Sequence, residues 1–212
     1  WRQVPNRVSP VARSRGCGCC WAFSAIGMLE GQQVARNFSK NLVPLSVQQL
    51  VDCSGLNDGC GGGYSILALV DIERLGGIQS AEDYPYTGVQ ATECQFDKSK
   101  SSVMTISGAL YLPRYDLNAL KKIVANYGPV AIALGTNKNF MEYTSGIFRD
   151  PTCEPKMSHA VLVVGYGNDT KEGDYWIIKN SWGEKWGEGG FMRIKSDQCG
   201  IGKISIIAKF NK

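Results

Sequence analysis

Histidine is all but missing from this sequence: His159 is the single one in 212 residues. A metal centre built from several imidazoles is thereby excluded, and any chemistry that needs an imidazole must use this residue. Long apolar runs are missing too, none approaching the roughly 20 residues that cross a bilayer as a helix. Basic residues are scattered, with Lys121-Lys122 the longest cluster. A net charge of +4 and a pI near 8.6 therefore describe a mildly basic, solvated surface and not a nucleic-acid stripe. No internal repeat, low-complexity stretch or signal peptide is evident: Trp1-Arg2-Gln3 opens straight into polar, turn-like sequence.

What the sequence has in quantity is cysteine. Eight in a chain of this length suit an oxidising compartment. Two glycosylation sequons, Asn37-Phe38-Ser39 and Asn168-Asp169-Thr170, point the same way. The expectation is a secreted or lysosomal/vacuolar protein from which an upstream targeting segment has been removed. Hydrophobic residues at 43% and charged residues at 20% are the balance of a globular protein, not a disordered one. The length suffices for one large domain or two modest ones sharing a cleft.

The two halves are patterned differently. After Cys20, the residues Trp21, Phe23, Ile26 and Leu29 begin a helical segment whose apolar face runs to about Ala35. Ser46-Val47-Gln48-Gln49 reads as a capping box, with Ser46 as N-cap and Gln49 reaching back, and opens a short helix to Cys53. Tyr64 to Leu75 has apolar residues at helical spacing and stops at Gly76-Gly77. Beyond about residue 100 short strands are expected at 103–112, 130–134, 160–166, 175–179, 191–194 and 204–208, bounded by Gly or Asn. One helix, from about Leu117 to Asn126 behind Asp116, interrupts them. A helical half followed by a strand half predicts an α+β protein, with a cleft at the seam.

The densest chemical signal is Cys17-Gly18-Cys19-Cys20-Trp21-Ala22-Phe23-Ser24. A thiol with a pKa of about 8.5 needs help to ionise, and Cys20 stands at the N-terminus of the long helical segment, where a thiolate is stabilised. An imidazolium beside the sulfur would add a full opposite charge, and only His159 can supply it and later protonate a leaving amine. Asn180 can accept a hydrogen bond from the other ring nitrogen and hold the imidazole in place. Zinc at Cys17, Cys19 and Cys20 is the rival reading, but there is no second Cys-x-x-Cys pair and no further histidine. Neither a metal nor a cofactor is expected.

Five further stretches follow in order: Gln49-Leu50-Val51-Asp52-Cys53-Ser54, Cys60-Gly61-Gly62-Gly63, Tyr84-Pro85-Tyr86, His159-Ala160-Val161-Leu162-Val163-Val164-Gly165-Tyr166-Gly167 and Lys179-Asn180-Ser181-Trp182-Gly183. His159 lies 139 residues after Cys20 and Asn180 lies 160 after it. Over nearly the whole chain this set resembles the papain-like cysteine peptidases, the family of papain and the cathepsin L type. The resemblance implies one peptidase unit over 1–212. It comprises a helical subdomain at about 10–107 and a β-barrel-like subdomain at about 108–206, with the active-site cleft between them. Terminal segments 1–9 and 207–212 would cross to the opposite subdomain. It implies peptide-bond hydrolysis through the Cys20 thiolate and a thioester acyl-enzyme, with His159 as base, Asn180 orienting it, and Trp182 screening their hydrogen bond from water. It pairs Cys17 with Cys60, Cys53 with Cys94 and Cys153 with Cys199. Each loop of about 40 residues is worth roughly 3–4 kcal/mol. Cys19 and Cys20 are left free.

By the same resemblance, Gly63 and the backbone of Ser158 hold the substrate's main chain as an extended strand, with Gly18 and Trp182 nearby. Tyr64, Ser65, Ala133, Met157, Ala160 and Ile204 would line the pocket for the residue second before the scissile bond. All are uncharged, which implies a preference for Leu, Val or Phe and little acceptance of Arg. Relatives that trim C-terminal dipeptides carry an inserted loop with its own histidines, so endopeptidase action is implied here. Expected partners are polypeptide substrates, an N-terminal inhibitory propeptide (removed) and cystatin-like inhibitors, the protein being a monomer without nucleic acid or membrane span.

Three positions depart from the family pattern. Where relatives carry an oxyanion-hole Gln, an ungapped alignment places Ser14, with Arg15 at the following Gly, and sliding it by one places Arg15 at the Gln position instead; neither is a glutamine. The Cys20 backbone N–H remains as one donor, and loss of the other costs about 10²–10³ in rate. Cys19 stands where Ser is usual. The alternative reading is thus an impaired homologue that binds peptides or inhibitor proteins.

Overall fold

In the computed structural model of the chain, residues 1, 7–100 and 103–210 are described. Helix α1 (Cys20–Ala35) is the axis of the first half. It is buried nearly all round, not on one face, so its polar side chains each need a partner. Ser24 Oγ donates to Val161 O (2.7 Å), Gln32 Nε2 to Pro129 O (3.0 Å) and Gln33 Nε2 to Val43 O (3.0 Å), while Glu30 accepts from Leu45 N (2.9 Å). Gly27 lets the helix approach the sheet: a Cβ there would stand 3.0 Å from Leu162.

Helix α2 (Val47–Cys53) starts where expected, with Ser46 Oγ accepting from Gln49 N at 2.9 Å. The reciprocal half of the capping box is absent. Gln49 donates to Gly77 O (3.0 Å) and accepts from Gln79 N (2.8 Å), while Ser46 N donates to Gln79 O (2.9 Å). A buried amide that can clasp the 77–79 chain on both its groups satisfies more of the backbone than a local cap would. After a 3₁₀ turn at Gly59–Gly61 comes α3 (Ser65–Leu75), closed by Gly76 at φ 88°.

The second half is built of β1 (Gly108–Tyr111), α4 (Leu117–Tyr127), β2 (Val130–Leu134), α5 (Lys138–Met141), β3 (Ile147–Phe148), β4 (His159–Asp169), β5 (Gly173–Lys179), β6 (Phe191–Lys195) and β7 (Ile204–Lys209). The expected strand at 103–112 shrinks to β1, Met104 making only an isolated bridge to Ile78. Strand order β1-β7-β2-β4-β5-β6-β3 leaves β1 and β3 as edges, so the barrel-like half is an open seven-stranded sheet and not a closed barrel.

Period-two alternation distributes this sheet between two cores. Leu162, Val164, Ala131 and Ile206 pack with α1 and α3, whereas Val161, Val163, Val130 and Ile132 pack with Leu120 and Val124 of α4 on the other face. Phe210, beyond β7, packs on the helical core and against Phe38, and Trp1 packs on the other core. Of the terminal segments expected to cross over, residues 2–6 and 211–212 lie outside the described residues. Among the described residues, no helix is long and apolar enough to cross a membrane.

Candidate active site

Cys20 is the first residue of α1, preceded by Cys19 without a side-chain cap. Ala22 N and Phe23 N donate to Cys19 O (3.0 and 3.2 Å), which leaves the amides of Cys20 and Trp21 to address the sulfur. Burial pushes the Cys20 thiol up, opposed by the backbone N–H groups of Ala160, Trp21 and Cys20. His159 is the first residue of β4 and is fixed by register opposite Leu134 of β2. It is 9% exposed, and burial pulls its imidazole below the usual value, with the Asn180 hydrogen bond opposing that shift.

His159 Nε2 lies 2.8 Å from Asn180 Oδ1. The same oxygen accepts from Ser181 N at 2.8 Å, which orients the amide with its oxygen toward the ring. Nε2 must then carry the proton, leaving Nδ1 as the nitrogen free to exchange one. Trp182 stacks on the imidazole with centroids 4.7 Å apart and is itself held edge-on by Phe140 (5.9 Å) and Trp186 (5.2 Å).

Cys20 and His159 line one cavity of ≈ 390 Å³. It also brings together Gly63, Tyr64, Ser65, Ala133, Met157, Ser158, Ala160 and Ile204. The sheet explains part of this grouping: Ala133 of β2 pairs with Ala160 of β4 on one side and with Ile204 of β7 on the other. The three side chains thus form one row across three strands.

Sequence reasoning missed Leu56, Asn57, Asp58, Ile66, Tyr111 and Ile206, which also line the cavity. Ile206 could have been found, being two residues along β7 from Ile204 and so on the same face. Tyr111 pairs with it from β1, a contact without local signal. Asp58 adds an exposed carboxylate to a wall expected to be uncharged.

Ser14, Gly18 and Trp182 are not among the residues lining this cavity. Ser14 runs beside the Asn180 loop, its N–H donating to Ser181 O at 3.0 Å and its carbonyl accepting from Cys17 N (3.1 Å) and Tyr86 Oη (2.7 Å). Arg15 follows at φ 55°, a left-handed conformation that suits the glycine expected there. Cys19 is fully buried, with Sγ 3.2 Å from Tyr86 Oη, and burial pushes its thiol up. The disulfides are Cys17–Cys60, Cys53–Cys94 and Cys153–Cys199, which occupies Cys17 and removes it from any zinc reading. Asn37 and Asn168 are both exposed, Asn168 donating to Asp174 Oδ1 at 2.7 Å.

Behind the site, Lys179 Nζ donates to Ser9 Oγ at 2.8 Å. Burial pulls this lysine down to about 8, against the attraction of the Glu30 carboxylate on α1. That attraction acts between helix and sheet immediately before Asn180, without a direct ion pair among the described residues.

The sequence model described as "Papain family cysteine protease" matches residues 1–208. The chain is 41% identical to a probable cysteine protease RD21C of Arabidopsis thaliana, covering 97% of this chain and 46% of that protein. It is also 41% identical to a cathepsin L of Sarcophaga peregrina, covering 97% and 61%. The chain thus spans about half to three fifths of the length of these curated relatives. Among solved structures it is similar to the digestive procathepsin L2 proteinase of Tenebrio molitor larval midgut. That match has a TM-score of 0.92 and 39% identity, over 99% of this chain and 67% of that one. With the cysteine at the helix start, the histidine on its strand and the three disulfides in view, these matches settle the relationship: the chain belongs to the papain family of cysteine proteases.

Proposed function

We propose that the protein is an endopeptidase that cleaves polypeptides through a Cys20 thioester. The observation that carries this reading is the convergence of Cys20 and the Asn180-oriented His159 on one cavity. Burial opposes an isolated charge on either group, so both are neutral when considered singly. Transfer of the thiol proton to Nδ1 creates two opposite charges at once, each stabilising the other, with the α1 amides adding to the thiolate side. The sulfur attacks the scissile carbonyl, His159 returns the proton to the leaving amine, and water then hydrolyses the thioester. The Cys20 N–H serves as oxyanion donor. Ser14 contributes no amide side chain, which supports a slower enzyme than a Gln-bearing relative.

The row Ala160–Ala133–Ile204, with Met157 and Tyr64, supports a pocket that takes Leu, Val or Phe and rejects Arg. Gly63 and Ser158 would hold the substrate backbone from the two sides. The cores on the two faces of the sheet support a helical and a strand subdomain flanking the cleft, and the three disulfides support an oxidising compartment, lysosomal/vacuolar or extracellular. A propeptide that blocks the cleft before maturation is supported by the similarity to a procathepsin. Cystatin-like inhibitors, a monomeric state and glycans on Asn37 and Asn168 belong to the same reading.

The experiment is hydrolysis of peptides differing only at the residue second before the scissile bond, with parallel labelling by an epoxide inhibitor. Expected are Leu cleaved well above Arg and a label on Cys20 in proportion to lost activity. Tight binding without hydrolysis, or equal turnover of Arg, would overturn the activity or the pocket respectively.

A further inference from the structure

The helix beside the cleft contains a residue that neither the family motifs nor the catalytic reading explains. Asp71 of α3 is 0% exposed, while the other buried residues of that helix are Ser65, Ala68, Leu69 and Ile72. A carboxylate is costly to bury for packing alone. What it supplies, and an apolar side chain does not, is direction.

Both oxygens of Asp71 are used. Oδ1 pairs with Arg74 Nη2 at 2.7 Å, and Oδ2 accepts from Ser54 Oγ and from Leu56 N at 3.2 Å. With its proton committed to the carboxylate, the Ser54 hydroxyl can only accept from elsewhere. It accepts from Asn57 N (3.2 Å) and Asn57 Nδ2 (2.9 Å). That turns the Asn57 amide so that Oδ1 faces the cleft wall, where it accepts from Tyr64 N at 2.7 Å. The amide also fills the space that a Cβ on Gly63 would need. A one-way hydrogen-bond relay thus runs from the buried helix to the Gly63–Tyr64 backbone, and Asp58 N closes the same loop onto Gly62 O at 3.0 Å.

We propose that Asp71 and Ser54 are positioning residues for the substrate: acting through Asn57, they hold the Gly63–Tyr64 backbone in place for pairing with a bound peptide strand. The inference rests on the peptidase reading above and adds to it residues that touch neither substrate nor Cys20. Without the relay the wall keeps its disulfide and its helix but loses the fixed orientation of its backbone groups. Binding of an extended peptide then suffers, while the chemistry at Cys20 does not.

The test uses the full chain and three variants: Ser54→Ala, Asp71→Asn and Ser54→Thr. Three quantities are measured: KM and kcat on a fluorogenic peptide with three residues before the scissile bond, Kd of an uncleavable peptide, and the rate of Cys20 alkylation by iodoacetamide. Ser54→Ala and Asp71→Asn should raise KM and Kd about five- to tenfold, the scale of one lost hydrogen bond, with kcat and alkylation within about twofold. Ser54→Thr keeps the hydroxyl and should restore both constants, which a purely packing role does not predict. Unchanged KM and Kd in Ser54→Ala and Asp71→Asn, with only a lower melting temperature, would overturn the relay. So would parallel losses in kcat and alkylation. If the wild-type chain cleaves no peptide, the peptidase reading fails, and the Kd series alone decides the relay.

Discussion

The two walls of the cleft are held in different ways. On one side His159 and Ala160 begin β4, pinned by register to Leu134 and Ala133 and backed by the Trp182 ring, which Phe140 meets edge-on. On the other, Gly62 to Tyr64 is a glycine-rich loop, with Tyr64 66% exposed, and it is held by side-chain hydrogen bonds and the Cys17–Cys60 disulfide just before it. A proton transfer tolerates little positional error, so the imidazole belongs on the rigid wall. Backbone pairing with varied peptides needs free N–H and C=O groups without intruding side chains, which a glycine loop provides. Substitutions on the two walls should therefore separate chemistry from binding.

The sharpest break falls on the chemical side. Cys20→Ala or His159→Ala should lower kcat by about 10³-fold or more with KM little changed, as measured by steady-state hydrolysis. Next comes the seam behind that wall. Lys179→Met removes the hydrogen bond to Ser9 and the cation that attracts the buried Glu30 carboxylate, and should cost about 1–3 kcal/mol of stability, read by denaturant unfolding. Adding Glu30→Gln should recover part of it. On the loop wall, Gly63→Ala places a Cβ against the Asn57 amide and should raise KM about tenfold at nearly constant kcat.

Smaller effects sharpen the comparison. Ile204→Glu puts an acid at the end of the Ala160–Ala133–Ile204 row and should raise the Arg-to-Leu ratio of kcat/KM about tenfold. The smallest effect is expected away from both walls, at Asp150. Hydrogen bonds from Thr152, Asn137 and Asn139 hold its carboxyl well below the usual range. A depressed folded pKa stabilises the native state above the usual carboxylate pKa, and the gain is lost as pH falls through the folded value. Asp150→Asn should therefore lower the melting temperature at neutral pH, and the gap to wild type should begin to narrow below about pH 4 and close only as pH approaches the much lower folded value.

The rigid wall was the more legible of the two in the sequence. Cys20, His159 and Asn180 sit in dense motifs, and β2, β4 and β7 announce themselves by short β-branched runs. The loop wall was half hidden. Gly63 and Tyr64 stood out, but Asn57 and Asp58 carry no periodicity, and their roles arise from contacts across the 54–64 loop. Asp71 was concealed inside a helix read by its apolar spacing, because the pattern says which face is buried and not which polar residue is buried with it. The two-residue β3 and the four-residue α5 are too short to generate a period, and the sequence around Gln49 reads as a local cap because its partners at Gly77 and Gln79 lie 28 and 30 residues away.

The central claim is that Cys20, activated by the Asn180-oriented His159, forms a thioester with peptide substrates. Intact-mass and peptide-mapping analysis after rapid acid quench of the chain turning over an activated peptide ester tests it most directly. The account predicts one acyl group per molecule, mapped to Cys20 and absent from Cys20→Ala. An acyl group on another residue, or hydrolysis that persists in Cys20→Ala, would contradict it.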